Sequence, residues 1–113
     1  MLRKIDCVMV RVDDLDDGIA FYERAFGTRL NWRDESSAGL GLPETDAEIV
    51  LHTMDDIPAV HYLVDDVDVA VEGYVAAGAS VRVAPFDIPI GRCAVLADPY
   101  GNPVCVLDIR RPR

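Results

Sequence analysis

The chain repeats itself. Val12-Asp13-Asp14-Leu15-Asp16 returns as Val64-Asp65-Asp66-Val67-Asp68, an offset of 52 in a chain of 113 residues. At the same offset Tyr22 matches Tyr74 and Ala25 matches Ala77. Each acidic pentapeptide follows an alternating apolar run and precedes a helical pattern. A duplicated unit accounts for that shared context, and a repeat of this length fixes the architecture more tightly than any single motif.

Within the first copy, Ile5 to Val12 alternates like a strand. Asp13 or Asp14 then caps a helix, because a carboxylate accepts the free N–H groups of a first turn. Leu15, Ile19, Tyr22 and Phe26 share one helical face, and Gly27 suits the left-handed residue that ends a helix. Three strands are expected to follow, about Arg29–Asp34, Ala38–Leu42 and Ala47–Met54, the last two separated by Pro43 and the polar loop 44–46. The second copy reads likewise. Ala59–Asp65 is a strand, and Asp66 caps a helix burying Val67, Val71 and Tyr74 or Val75 that ends at Gly78. Strands follow at about Ser80–Phe86, Arg92–Ala97 and Pro103–Ile109, with a hairpin link at Asp98-Pro99-Tyr100-Gly101-Asn102. The order is βαβββ twice, in repeats of about 1–56 and 57–113 forming one domain. Strands in runs after each helix exclude a doubly wound parallel sheet.

Composition narrows the partners. Lys and Arg total 11 against 20 Asp and Glu, a net charge of −9, and such a field repels nucleic acid and anionic membranes. No apolar run is long enough to span a bilayer, and the charged start does not read as a signal peptide. Cys7, Cys93 and Cys105 are an odd number set in apolar segments. They read as reduced, buried thiols of a cytoplasmic protein.

The βαβββ repeat, with Val12–Asp16 leading to Phe21-Tyr22 and Phe26-Gly27, and with Asp98-Pro99-Tyr100-Gly101-Asn102 before the last strand, resembles the vicinal oxygen chelate superfamily. That group includes glyoxalase I, bleomycin-resistance proteins and extradiol dioxygenases. The resemblance covers essentially the whole chain. It implies an α+β fold in which two βαβββ repeats form an open, cupped, eight-stranded mixed sheet with helices outside, often as a homodimer. It also implies four ligand positions in metal-dependent members, which fall here on Cys7, Val50, Ala59 and Cys105. Valine and alanine carry no donor, and thiolates are soft for an oxygen-rich site, so the expectation is no metal and no cofactor.

Alternation selects what would line the cup. Residues two apart share a strand face, so Met9 and Arg11 go with Cys7, Glu48 and His52 with Val50, and His61 with Ala59. Val8, Val10 and Val12, then Val60, Tyr62 and Val64, are left to pack under the helices. Arg11 offers a fixed fork of donors for a carboxylate or phosphate, and the resemblance gives arginine at this position the same role. A salt bridge to Glu48 or another acid is the alternative. His52 and His61 are candidate acid–base residues or members of an atypical zinc set with Cys7, Glu48 and Cys105. Taken singly, each is more often a satisfied polar residue in a half-buried strand. Trp32, Met9, Met54 and Phe86 offer an apolar, stackable lining, or ordinary core.

The leading expectation is a metal-independent protein binding a small anionic or aromatic molecule, like the bleomycin-resistance branch. Two others stand beside it. One is a lyase, isomerase or dioxygenase using a shifted metal site or His52 and His61. The other is a non-catalytic dimeric module.

Overall fold

The computed structural model describes residues 1–112. Eight strands and two helices follow in the order β1 (Lys4–Arg11), α1 (Leu15–Phe26), β2 (Arg29–Arg33), β3 (Ser37–Leu42), β4 (Thr45–His52), β5 (Val60–Leu63), α2 (Val67–Ala76), β6 (Ser80–Ile88), β7 (Gly91–Ala97) and β8 (Pro103–Leu107). The fold class is α+β, and βαβββ occurs twice, as the repeat requires. The chain divides into two compact units, Asp6–Ala59 and Val60–Arg113, the latter together with Met1–Ile5.

In the unit Asp6–Ala59 the strands lie in the order β2-β3-β4-β1. β1 and β4 are parallel, while β2–β3 and β3–β4 are antiparallel. Asp14 has extended backbone and caps α1, its side chain accepting the Asp17 N–H at 2.9 Å. Gly27, at φ 71°, ends the helix and donates its N–H to Glu23 O. Leu15 and Ile19 pack with Ala38, Leu40 and Leu51, flanked by Val10, Val12, Tyr22 and Ile49. The valines of β1 therefore turn to the helix, and the alternate residues turn away from it. Phe26 departs from the expected buried face. It is 63% exposed and stacks edge-on against Tyr22 and Phe21, because it sits in the last helical turn, beyond the reach of the sheet.

In the other unit the order is β5-β8-β7-β6, with β5 and β8 parallel and the rest antiparallel. Asp66 caps α2 by accepting the Val69 N–H at 3.0 Å. Val67 and Val71 pack with Val64, Ala94, Leu96 and Val106, and with the half-buried Tyr74. Val75 faces outward. The helix stops at the cap Ala77, and Gly78 follows at φ 115°.

The β7–β8 link is the expected hairpin. Asp98 accepts the N–H groups of Tyr100 and Asn102, each at 2.9 Å. Strand limits shift by no more than two residues from expectation. β4 starts at Thr45 and ends at His52, leaving Met54 outside it, and Ala59 precedes β5 rather than opening it.

Candidate functional site

In the unit Asp6–Ala59, the sheet face turned from α1 is built of residues aligned across the strands. Register pairs Met9 with Val50, Val50 with Gly39, and Gly39 with Trp32. These four make one line across β1, β4, β3 and β2. It is apolar, and the Trp32 indole covers Gly39, where a built Cβ would collide with the ring nitrogen. Glycine is what lets the indole lie down on the sheet.

Beside this line runs a polar one. Arg11 pairs with His52, and His52 with Ser37. The spacing along a strand puts it about 6.6 Å from the apolar line. His52 and Ser37 are buried and Arg11 is half exposed. His52 Nδ1 accepts the Met54 N–H at 3.2 Å, which leaves the proton of a neutral ring on Nε2. Burial lowers the His52 pKa, and the Arg11 charge lowers it further. The ring is therefore a neutral donor at pH 7, which weakens its case as a general base.

On the other side of the apolar line, Cys7 sits opposite Glu48. Glu48 Oε1 accepts from Trp32 Nε1 and Oε2 from Asn31 Nδ2, both at 2.9 Å. A register shift between Leu30 and Trp32 turns two consecutive residues toward one carboxylate. Cys7 is buried, and its Sγ lies 3.8 Å from Met9 Sδ.

Arg11 takes the salt-bridge alternative, with acids other than Glu48. It does not bridge to Glu48, whose oxygens are engaged elsewhere. It pairs with Asp13 at 2.9 Å and Asp55 at 3.3 Å, both aspartates largely in solvent. Nor is it sunk in an apolar cup, since its side chain is 50% exposed. It ends its strand, where a long side chain reaches water.

The second unit carries the remaining expected residues. His61 aligns with Cys105, Val95 and Val83, and Phe86 with Cys93, Leu107 and Leu63. That face is apolar, with Leu63, Ile90, Cys93, Val95, Cys105 and Leu107 in one cluster. His61 is half buried and Phe86 is 42% exposed. Leu63 stands where the repeat would put the counterpart of Arg11, so that position carries no charge in the second unit. The expected lining residues thus divide by unit. Met9, Arg11, Trp32 and His52 share one face, and His61 and Phe86 share the other.

Of the four positions that the resemblance gives to metal ligands, two carry thiols, Cys7 and Cys105. Val50 and Ala59 lack donor atoms, and among the described residues no group of three or more His, Cys, Asp or Glu side chains is placed to hold an ion. No helix is long and apolar enough to cross a membrane. A hollow of about 550 Å³ lies over α1, among Asp13, Asp17, Phe21 and Arg24, and includes none of the expected lining residues.

Sequence reasoning missed Ser37, Asn31 and Gly39. Gly39 had a signal, since a glycine inside a strand marks a close approach. Asn31 had none, because its placement depends on a bulge.

Solved structures share the fold. Methylmalonyl-CoA epimerase from Mycobacterium tuberculosis is 18% identical, with 97% of this chain and 90% of that one covered and a TM-score of 0.84. A variant of the Streptomyces coelicolor methylmalonyl-CoA epimerase, in complex with 2-nitronate-propionyl-CoA, is 16% identical, with 98% and 100% covered and a TM-score of 0.80. A hypothetical protein from Bacillus halodurans is 13% identical, with 97% and 96% covered and a TM-score of 0.81. No curated protein matches. Residues 7–107 match the glyoxalase-like domain family, and the chain belongs to that family.

Proposed function

We propose that this protein binds a small molecule with a flat apolar body and an anionic end, on the face of the unit Asp6–Ala59 turned from α1. One observation carries the reading. A line of donors, Arg11, His52 and Ser37, runs beside an apolar line, Met9, Val50, Gly39 and Trp32. An indole laid flat over a glycine offers a stacking floor. The acids now paired with Arg11 are exposed, and such pairs are worth about 0–1 kcal/mol. A ligand carboxylate exchanges with them at little cost.

The reading assigns no metal, because two of the four family positions lack donors. It assigns no reaction, because neutral His52 already uses Nδ1 as an acceptor. A homodimer suits the exposed Phe21, Phe26 and Leu30, and a cytoplasmic setting suits three free cysteines. The epimerase neighbours are the motive for including acyl-CoA thioesters among the probes.

Trp32 is the only tryptophan, so its fluorescence reports this face alone. The test titrates the protein with naphthyl and phenyl carboxylates and short acyl-CoA thioesters. At least one should change the emission saturably. Arg11→Met keeps the stem and removes the donors. It should weaken that ligand by up to about 5-fold, as expected for an ion pair at a half-exposed guanidinium worth about 0–1 kcal/mol. Binding indifferent to Arg11→Met, or no response to any probe, would overturn the proposal.

A further inference from the structure

Cys93 on β7 and Cys105 on β8 come from neighbouring antiparallel strands, and their sulfurs are 3.4 Å apart. Both side chains are buried, at 6% and 1% exposure, in an apolar cluster with Leu63, Val95 and Leu107. Two small apolar side chains would fill this space equally well. What the cysteines add is a pair of sulfurs in contact, and the ligand-binding reading makes no use of it.

We propose that Cys93 and Cys105 form a redox pair that closes to an intrachain disulfide when a hydroperoxide reaches it. The first step is attack by the Cys93 thiolate on a peroxide oxygen. A sulfur–oxygen bond forms, the oxygen–oxygen bond breaks, and the departing oxygen takes a proton to leave as water or alcohol. Cys93 is then a sulfenic acid. Cys105 sulfur attacks Cys93 sulfur next. The disulfide forms, the sulfur–oxygen bond breaks, and hydroxide leaves as water with the Cys105 proton. The two thiols lose two electrons and the peroxide gains them.

The geometry favours this order. A disulfide measures about 2.05 Å, so the sulfurs must close by about 1.4 Å from their present 3.4 Å. Cys93 and Cys105 are diagonal neighbours across β7 and β8, where Cα atoms stand about 7–8 Å apart, so closure also draws the two strands together locally. Cys93 is the more exposed of the two. Hydrogen bonding between the two sulfurs lowers the Cys93 pKa and outweighs the opposing effect of burial, which favours the thiolate that attacks. Cys7 lies on β1 with its sulfur 3.8 Å from Met9 Sδ. Closure would tie β7 to β8 directly beneath Phe86 and beside His61, which align with Cys93 and Cys105.

The test treats reduced, purified protein with hydrogen peroxide under native conditions, then denatures it and blocks remaining thiols with iodoacetamide. The expected product loses two of its three alkylatable thiols. Its peptide map links Cys93 to Cys105, leaves Cys7 alkylated, and returns to three thiols with dithiothreitol. Three alkylated cysteines after treatment, a link through Cys7, or Cys93 recovered as sulfinic acid without a link would each overturn the proposal. Cys105→Ser should leave Cys93 as an unlinked sulfenic acid, trapped by dimedone. The wild-type map decides the matter even if that variant does not fold.

Discussion

Trp32 Nε1 donates to Glu48 Oε1 at 2.9 Å, and it does so from a ring that lies where a side chain on Gly39 would stand. A bulge, a glycine and a carboxylate together set the position of one indole. The floor of the proposed site is therefore held by polar geometry at its edge as well as by apolar contact.

Gly39→Ala tests that dependence. The added methyl displaces the indole and breaks its bond to Glu48. Overpacking of this kind costs about 1–3 kcal/mol. The emission of Trp32 should move to longer wavelength, and the urea midpoint should fall. Trp32→Phe keeps a ring but loses the hydrogen bond to Glu48 and part of the indole's contact area, so it should cost about 1–3 kcal/mol. Unchanged emission in Gly39→Ala would mean that the indole does not rest on the glycine.

His52 should make stability depend on pH. Burial lowers its folded pKa, while the unfolded ring titrates near about 6.5. Below that pH the unfolded chain binds the extra proton, so unfolding gains. The contribution is complete above about pH 6.5 and declines as pH falls toward the folded value. Chemical denaturation at several pH values should show this slope, and His52→Gln should flatten it. An identical slope in both proteins would remove His52 as its source.

The repeat was legible because an acidic cap and an apolar helix face recur at one offset, with a closing glycine one residue short of it. From this the two βαβββ units and the strand faces followed. Val10 and Val12 do pack against α1, and Arg11 does lie on the other face. Partner choice was not legible. Arg11 takes Asp13 and Asp55 because it ends its strand, and Glu48 is claimed by Asn31 and Trp32 through a bulge. Pattern gives a face, but it does not give the reach of a long side chain or a one-residue shift in register.

Asp108 escaped notice because it reads as an ordinary charge near the end of the last strand. It is fully buried. Its Oδ2 accepts the Val67 N–H at 2.8 Å, at the start of α2, and its Oδ1 accepts the Arg92 N–H at 2.9 Å. Arg110 pairs with it at 2.9 Å. Burial pushes its pKa up, but these donors outweigh burial and hold it below the ordinary carboxylate range. Asp108→Ala strips the Val67 and Arg92 N–H groups of their acceptor, while Arg110 keeps Asp66 and Asp68, at a cost of about 1–3 kcal/mol for each orphaned N–H. In wild type the contribution is present above about pH 4 and is lost as pH falls through the folded value. Denaturant melts that show a loss under about 1 kcal/mol would reduce Asp108 to a surface charge.

Tyr74 gives the opposite sign. Its ring packs against the Val67–Val71 face of α2, but its hydroxyl is buried with no hydrogen-bond partner. Burial alone raises its pKa, as expected where nothing stabilises the phenolate. An unpartnered buried hydroxyl has lost its water and gained nothing in return, a cost of about 1–3 kcal/mol. Tyr74→Phe removes that group and keeps the ring and its contacts. Stability should rise by about 1 kcal/mol or more, seen as a higher urea midpoint with unchanged m, since the surface exposed on unfolding is nearly the same. A lower midpoint would show that the hydroxyl is satisfied in solution, by a bound water reached through the apolar hollow that Tyr74 shares with Leu2, Ala79 and Val104.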